Sequence, residues 1–161
     1  MKSSDLIKHL TESGLMPKEE MLEIAKGEQS LFIGIPKETA LQENRVALVP
    51  DSVGLLVNNG HRVIIESNSG EAANFTDKDY SEAGAEIVYE SKEVYKANII
   101  IKVAPPTLAE IQLLNANQKQ VLFSALQISS QPKDCIKELM KKKVTGIAYD
   151  FIKDREGVYP I

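Results

Sequence analysis

In the stretch Asn98-Ile99-Ile100-Ile101, the three isoleucines form an apolar run without polar alternation, and Val63-Ile64-Ile65 is a second one. Such runs are typical of strands in a parallel sheet, where helices cover both faces. The pattern predicts six strands, near residues 31–35, 62–66, 85–88, 97–103, 120–125 and 144–149. It predicts helices between them, from Asp51 to Asn59, from Asp77 to Ala83 and from Pro132 to Lys142. This alternation indicates an open, mainly parallel Rossmann-like (flavodoxin-like) α/β sheet with helices on both faces.

Length, charge and cysteine content limit the kinds of protein that this chain can be. Its 161 residues suit one domain with a proper core, and its net charge of −4 argues against nucleic acid as a partner. No apolar run has the length of a membrane-spanning helix. The single cysteine, Cys135, cannot form an internal disulfide, which fits a reducing compartment. We therefore expect a cytoplasmic protein without membrane insertion.

The first thirty residues differ from the rest of the chain. Apolar residues recur at helical spacing on both sides of Pro17, which predicts two short helices. We expect residues 1–30 to form a helical extension that docks on the domain or on a partner subunit. The domain proper would then span residues 31–161.

The segment from Ile33 to Pro50 reads Ile-Gly-Ile-Pro-Lys-Glu-Thr-Ala-Leu-Gln-Glu-Asn-Arg-Val-Ala-Leu-Val-Pro. A polar loop places Arg45 directly before residues 46–49, an apolar run predicted to be a buried strand. A guanidinium fixed in this way suits two parallel hydrogen bonds to a carboxylate, so Arg45 is the first candidate for contact with a small anionic substrate. Taken alone, a loop arginine is more often a surface salt-bridge residue. Glu38 and Glu43 either fix the loop through hydrogen bonds or are simply solvated.

Lys102 is the second candidate site residue, because it ends the predicted strand that contains Ile99 to Ile101. Open α/β sheets bind their ligands at the carboxyl ends of the strands. A lysine there suits proton transfer or the polarisation of a carbonyl group, whereas the alternative is a side chain that simply extends to solvent. Tyr149 is predicted to face the same edge, with core packing as its more common role.

Two kinds of site have no support in the sequence. The nine glycines form neither a Gly-x-Gly-x-x-Gly nor a Gly-x-x-x-x-Gly-Lys-Ser/Thr motif, so the chain is expected to hold no dinucleotide on its own. His9 and His61 are isolated, and no Cys/His cluster indicates a metal site. We therefore predict neither cofactor-binding nor metal-binding residues.

The stretch from Pro36 to Pro50 resembles the N-terminal signature of the alanine dehydrogenases and of the alpha subunit of nicotinamide nucleotide transhydrogenase. The sequence Lys102-Val-Ala-Pro-Pro resembles a second, less specific motif of the alanine dehydrogenases. The resemblance implies reversible conversion of L-alanine to pyruvate and ammonia, with NAD held by a second domain. Arg45 would bind the substrate carboxylate, and Lys102 would contact the carbonyl or imine centre. It also implies a chain that ends before the nicotinamide-binding domain of a homo-oligomeric parent.

Gln127 departs from the family pattern, because it stands where the alanine dehydrogenases place a histidine for acid–base catalysis. A glutamine side chain does not titrate near neutral pH. Either Lys102 carries the proton traffic while Gln127 orients the substrate, or the parent is not a competent alanine dehydrogenase. Three functions stay open: an alanine dehydrogenase-like enzyme, a transhydrogenase alpha subunit, and a non-catalytic module that binds a keto acid or an amino acid.

Overall fold

The computed structural model describes residues 30–159, so the predicted helical extension lies outside the described residues except for Ser30. The strands are β1 (Phe32–Ile35), β2 (Arg62–Glu66), β3 (Glu86–Val88), β4 (Ile99–Ile101), β5 (Val121–Ser124) and β6 (Thr145–Ala148). The helices are α1 (Pro50–Asn58), α2 (Asp77–Glu82), α3 (Ser91–Val94), α4 (Leu108–Leu113) and α5 (Lys133–Lys142). Two short 3₁₀ helices span Glu71–Ala73 and Tyr149–Phe151.

The six strands form one sheet in the order β3-β2-β1-β4-β5-β6, and every neighbouring pair is parallel. This is the doubly wound Rossmann order rather than the flavodoxin-like one. The prediction of an open, parallel Rossmann-like sheet is thereby confirmed. The order reverses between β1 and β4, so their carboxyl ends flank the crevice where open α/β sheets place ligands.

Helices pack on both faces of the sheet, as predicted. On one face, Ile33 and Ile35 of β1 form a buried cluster with Val53 of α1 and Tyr80 of α2. On the other face, Ile100 belongs to a second cluster, which also contains Ile111 of α4, Leu122 of β5 and Cys135 of α5. Successive isoleucines of β4 point to opposite faces, which explains why this strand has no polar alternation.

Two helices begin with reciprocal caps that the sequence encodes. Thr76 accepts a hydrogen bond from the main-chain N–H of Asp79, and the Asp79 carboxylate accepts one from the main-chain N–H of Thr76. Thr107 and Glu110 form the same capping box at the start of α4. Each box satisfies amide groups that have no partner within the helix.

The prediction of a buried strand at residues 46–49 is wrong. This segment has no strand conformation. Val46, Ala47 and Leu48 instead pack on the cluster beneath α1 and α2, while Val49 is exposed. The carbonyl oxygen of Leu48 accepts a hydrogen bond from the hydroxyl of Tyr80 at 2.9 Å. Because Pro50 begins α1 immediately afterwards, the segment is part of the connection between β1 and α1 and adds no strand to the sheet.

A membrane-crossing helix is not found in the part of the chain that the structure describes: none of its helices is long and apolar enough.

Candidate active site at the carboxyl edge of the sheet

The three residues predicted to act on a substrate all follow carboxyl ends of neighbouring strands. Arg45 lies in the loop between β1 and α1, Lys102 comes directly after β4, and Gln127 follows β5. The strand order places β1, β4 and β5 side by side. The structure therefore brings the three residues to one edge of the sheet, although their side chains have different surroundings.

Arg45 is held by a carboxylate of its own loop. Its Nε donates to Oε1 of Glu43 at 2.8 Å, and its Nη2 donates to Oε2 at 2.7 Å. This hydrogen bonding raises the pKa of Arg45 and lowers the pKa of Glu43 below its usual value. The side chain of Arg45 is 71% exposed and that of Glu43 is 12% exposed, so the guanidinium reaches outward from a sheltered carboxylate. Of the two roles left open for Glu43, fixing the arginine loop is confirmed.

Arg45 lines a small pocket between the loops that follow β1 and β2. The cavity has a volume of about 110 Å³ and is lined by Lys37, Glu38, Glu43, Arg45, Asn68, Ser69, Glu71 and Ala72. Pockets for drug-sized ligands usually measure about 300 Å³ or more. The cavity therefore has room for a small molecule and is too small to enclose a dinucleotide.

Lys102 has a buried ammonium group. Its side chain is 1% exposed, and its Nζ lies 3.1 Å from Oε2 of Glu38 and 2.9 Å from Oε1 of Glu110. A buried lysine of this kind is stable only with paired charges around it. In this structure the ammonium contacts the two carboxylates, and it is not among the groups that line the Arg45 pocket.

Glu38 connects the Arg45 pocket with Lys102. Besides contacting Nζ of Lys102, its carboxylate accepts hydrogen bonds from the main-chain N–H groups of Val103 at 2.6 Å and Ala104 at 3.3 Å. The same residue lines the pocket, and its charge adds to the raised pKa of Arg45. Glu38 therefore ties the loop after β1 to the loop after β4, at the point where the strand order reverses. Its role as a fixing residue is confirmed.

Gln127 lies at the same edge but outside the pocket. Its side chain is exposed, and its main chain has a left-handed φ of 43°. The carboxylate of Asp150 accepts hydrogen bonds from the main-chain N–H groups of Leu126 and Gln127, at 3.1 and 3.0 Å. The structure thus fixes the position of Gln127 through its backbone and leaves the carboxamide open to solvent.

Tyr149 reaches back from the end of β6 toward β4. Its hydroxyl donates to the carbonyl oxygen of Val103, and its ring packs on Phe123 at 5.6 Å between centroids. Burial raises the pKa of Tyr149, while the nearby charge of Arg45 acts in the opposite direction. Tyr149 therefore both packs and faces the predicted edge.

Glu110 contacts Lys102 at the candidate site, although its sequence pattern did not predict a role there. It caps α4, pairs with Lys102, and accepts a 3.3 Å hydrogen bond from Thr39 of the β1 loop. Its signal was the spacing Thr107-Leu-Ala-Glu110, which is that of a capping box. That pattern predicts a helix start, but it does not reveal that the same carboxylate also meets a buried lysine.

Neither a metal nor NAD fits the described residues well. Among residues 30–159, no group of three or more His, Cys, Asp or Glu side chains could hold a metal ion. NAD requires a glycine turn between a strand and a helix, where the pyrophosphate meets the helix N-terminus. The β1–α1 connection has no glycine, and α1 begins with Pro50 after Val49. This turn therefore offers no cradle for a dinucleotide.

Known proteins are similar to this chain in both sequence and fold. It is 39% identical over 131 residues to an alanine dehydrogenase of Staphylococcus saprophyticus and 40% identical over 132 residues to one of Methanococcus maripaludis. Each match covers 81% of this chain, but only 34% and 35% of the relative. The chain thus spans about a third of the length of the curated relatives it matches.

Solved structures give the same result. An L-alanine dehydrogenase matches with a TM-score of 0.75 and 38% identity, over 80% of this chain and 35% of that one. A transhydrogenase from Sinorhizobium meliloti matches with a TM-score of 0.69 and 25% identity, over 76% of this chain and 36% of that one. The family model described as alanine dehydrogenase/PNT, N-terminal domain, matches residues 34–160. The chain therefore belongs to the alanine dehydrogenase/PNT N-terminal domain family.

Proposed function

We propose that this chain is the substrate-side domain of an NAD-dependent, alanine dehydrogenase-like oxidoreductase that interconverts L-alanine with pyruvate and ammonia. The observation that carries the proposal is the guanidinium of Arg45 in a small pocket at the carboxyl edge of the sheet. Relatives named alanine dehydrogenase share this domain, and the matched segment makes up about a third of each of them. We assign NAD to another part of the full-length protein, because the β1–α1 turn does not fit it.

Arg45 is assigned to the substrate carboxylate. A guanidinium can donate two parallel hydrogen bonds to a carboxylate, and its charge does not depend on pH in the physiological range. The pocket also contains the carboxylates of Glu38 and Glu71, which suit the ammonium group of an amino acid. Two cationic residues, Lys37 and Arg45, line the pocket together with these anions, and this mixture of charges suits a zwitterion such as alanine.

The assigned role of Lys102 stays a prediction. For its ammonium to reach a carbonyl or imine centre, it would have to leave Glu38 or Glu110, both of which it contacts in a buried position. The geometry favours an indirect role, in which Lys102 holds Glu38 at the wall of the pocket. The role of Gln127 in orienting the substrate also stays a prediction.

The full-length protein is proposed to be a cytoplasmic homo-oligomer. The free, buried Cys135 is compatible with a reducing compartment. Size-exclusion chromatography with light scattering tests the assembly.

Oxidation of NADH by the purified full-length protein tests the proposed activity. We expect NADH absorbance to fall only when pyruvate and ammonium are both present. No turnover with this pair would contradict the proposal.

The transhydrogenase alpha subunit is the second candidate, favoured by the structural match to a transhydrogenase. In that case NADH would reduce an NADP analogue when the partner subunit is added, and pyruvate would have no effect. A protein that binds pyruvate and shows neither activity would be the non-catalytic module.

A further inference from the structure

Glu43 contacts Arg45 with three hydrogen bonds. Oε1 accepts from the main-chain N–H of Arg45 at 3.0 Å and from its Nε at 2.8 Å, and Oε2 accepts from Nη2 at 2.7 Å. Both residues line the same pocket. The carboxylate is therefore directed at one edge of the guanidinium, and the side chain of Arg45 has a defined direction at the mouth of the pocket.

The donors that Glu43 leaves unused form a second edge. A guanidinium has five N–H donors in one plane. Glu43 takes the Nε donor and one Nη2 donor, so the other Nη2 donor and both Nη1 donors remain. Nη1 and Nη2 together present two parallel N–H groups, which is the arrangement that binds a carboxylate end-on.

The local backbone explains why Glu43 is in place before any ligand arrives. A turn brings the main-chain N–H of Glu43 to the carbonyl oxygen of Ala40 at 3.1 Å, and Gln42 takes a left-handed φ of 62°. Glu38, another carboxylate of the same pocket, is engaged by Lys102 and two main-chain N–H groups. Glu43 is thus the carboxylate that orients the guanidinium.

We propose that Glu43 is a positioning residue, which holds Arg45 by its Nε–Nη2 edge so that the Nη1–Nη2 edge binds the substrate carboxylate. This inference rests on the proposed function. The substrate adds to the Glu43–Arg45 pair and does not displace Glu43. Because the guanidinium is already ordered, binding costs less conformational freedom than it would with a mobile arginine.

Kinetics of Glu43→Gln and Glu43→Ala in the full-length protein test the inference. We expect KM for pyruvate to rise about tenfold and kcat to change less than about twofold. Without Glu43 the guanidinium of Arg45 is no longer held in one direction, which weakens binding of the substrate carboxylate. The matched control is Glu86→Gln. Glu86 holds Arg62 with the same two-point geometry, at 2.7 and 2.8 Å, where β2 and β3 begin, at the opposite edge of the sheet. This control is expected to leave KM unchanged.

A crystal structure of the full-length protein with pyruvate provides the second measurement, which does not depend on how the variants fold. The expected result is a carboxylate on Nη1 and Nη2 of Arg45, with Glu43 still on Nε. A pyruvate carboxylate bound to Nε, with Glu43 displaced, would overturn only this inference. So would active Glu43→Gln and Glu43→Ala variants in which KM for pyruvate is unchanged. Pyruvate bound away from Arg45, or no turnover by the unchanged protein, would overturn the proposed function and this inference with it.

Discussion

Arg45 shows how a residue can be exposed and still be ordered. Most surface ion pairs contribute little to stability, because solvent screens them and long side chains resist ordering. Here the partner is only two residues away and sheltered, so the pair fixes a direction more than it stabilises the fold. Changes at this position should therefore be visible in substrate binding rather than in unfolding.

Arg45→Lys tests this separation. Lysine keeps the charge but lacks the planar fork, so we expect KM for pyruvate to rise about tenfold while the free energy of unfolding changes by less than about 0.5 kcal/mol. Steady-state kinetics and urea unfolding of the full-length protein measure the two quantities. Arg62→Lys, at the other edge of the sheet, is the control. If KM is unaffected, Arg45 is not part of the site.

Lys102 has the opposite character, because it is buried and meets two carboxylates. Lys102→Met keeps the bulk of the side chain and leaves Glu38 and Glu110 without their cation. Removing one partner of a buried ion pair typically costs about 3–5 kcal/mol, and we expect a loss of that order in urea unfolding. Lys96→Met is the control, since Lys96 pairs with Glu93 at an exposed site. A loss below about 1 kcal/mol would show that Lys102 is not a structural cation.

The sequence identifies the residue types of the site better than their environments. Arg45 and Lys102 both stand out because each lies next to an apolar run. Whether a cation is exposed or buried depends on which carboxylates meet it in three dimensions, and Glu110 lies on a different element from Glu38. The spacing of residues along the chain does not predict contacts between residues on different elements.

Gly34 sets the distance between β1 and the segment that enters β4. A Cβ on this residue would lie 2.6 Å from the carbonyl oxygen of Val94 and 2.9 Å from the Cβ of Ala97. Neither atom belongs to a flexible side-chain end. The close approach keeps α3 and the chain after it against the face of β1, which holds the two strands of the crevice in register.

Gly34→Ala is therefore expected to destabilise the fold by about 1–3 kcal/mol, because backbone has to shift to admit the methyl group. Gly54→Ala provides a control in α1, where the nearest atoms to the added Cβ are 3.8 Å away. That change is expected to stabilise by up to about 1 kcal/mol, since alanine favours a helix. Thermal and urea unfolding compare the two variants. Equal effects would refute the role of close approach at Gly34.

The elements with strong periodicity were the predictable ones. All six predicted strands are present, and the predicted helices match α1, α2 and α5 to within one residue. The helices α3 and α4 have only four and six residues, and no glycine follows them to mark where they end. Gly84 gives that signal for α2, which also has six residues. Residues 46–49 resemble a strand in sequence because all four are apolar. Val46, Ala47 and Leu48 pack on the core, but the segment belongs to no strand of the sheet.

Tyr80 is a buried residue that makes the stability of the fold depend on pH in alkaline solution. Its side chain is fully buried, and burial raises its pKa from 10.0 to about 12. Burial likewise raises the pKa of Tyr95, and the carboxylate of Glu110 acts in the same direction. A raised pKa in the folded state means that the unfolded chain loses its proton first. The contribution of these groups is therefore complete below about pH 10 and decreases as pH rises above it.

We expect the urea midpoint to fall between pH 10 and about pH 12, the interval that Tyr80 defines. Tyr80→Phe should make this fall smaller, while it costs about 1 kcal/mol at neutral pH through loss of the hydrogen bond to Leu48. Tyr89→Phe is the control, since Tyr89 is 85% exposed. An alkaline fall of the same size in the Tyr80 variant would show that other groups cause it.

Gln127 has a consequence for how the full-length protein would respond to acidification of its surroundings. A carboxamide carries no charge at any physiological acidity, whereas an imidazole changes its charge between about pH 5 and 8. Among residues 30–159 the one histidine is His61, which lies just before β2 at the far edge of the sheet. Under the proposed function, Gln127 itself would therefore add no dependence on acidity to substrate binding between about pH 5 and 8, where a histidine at this position would add one.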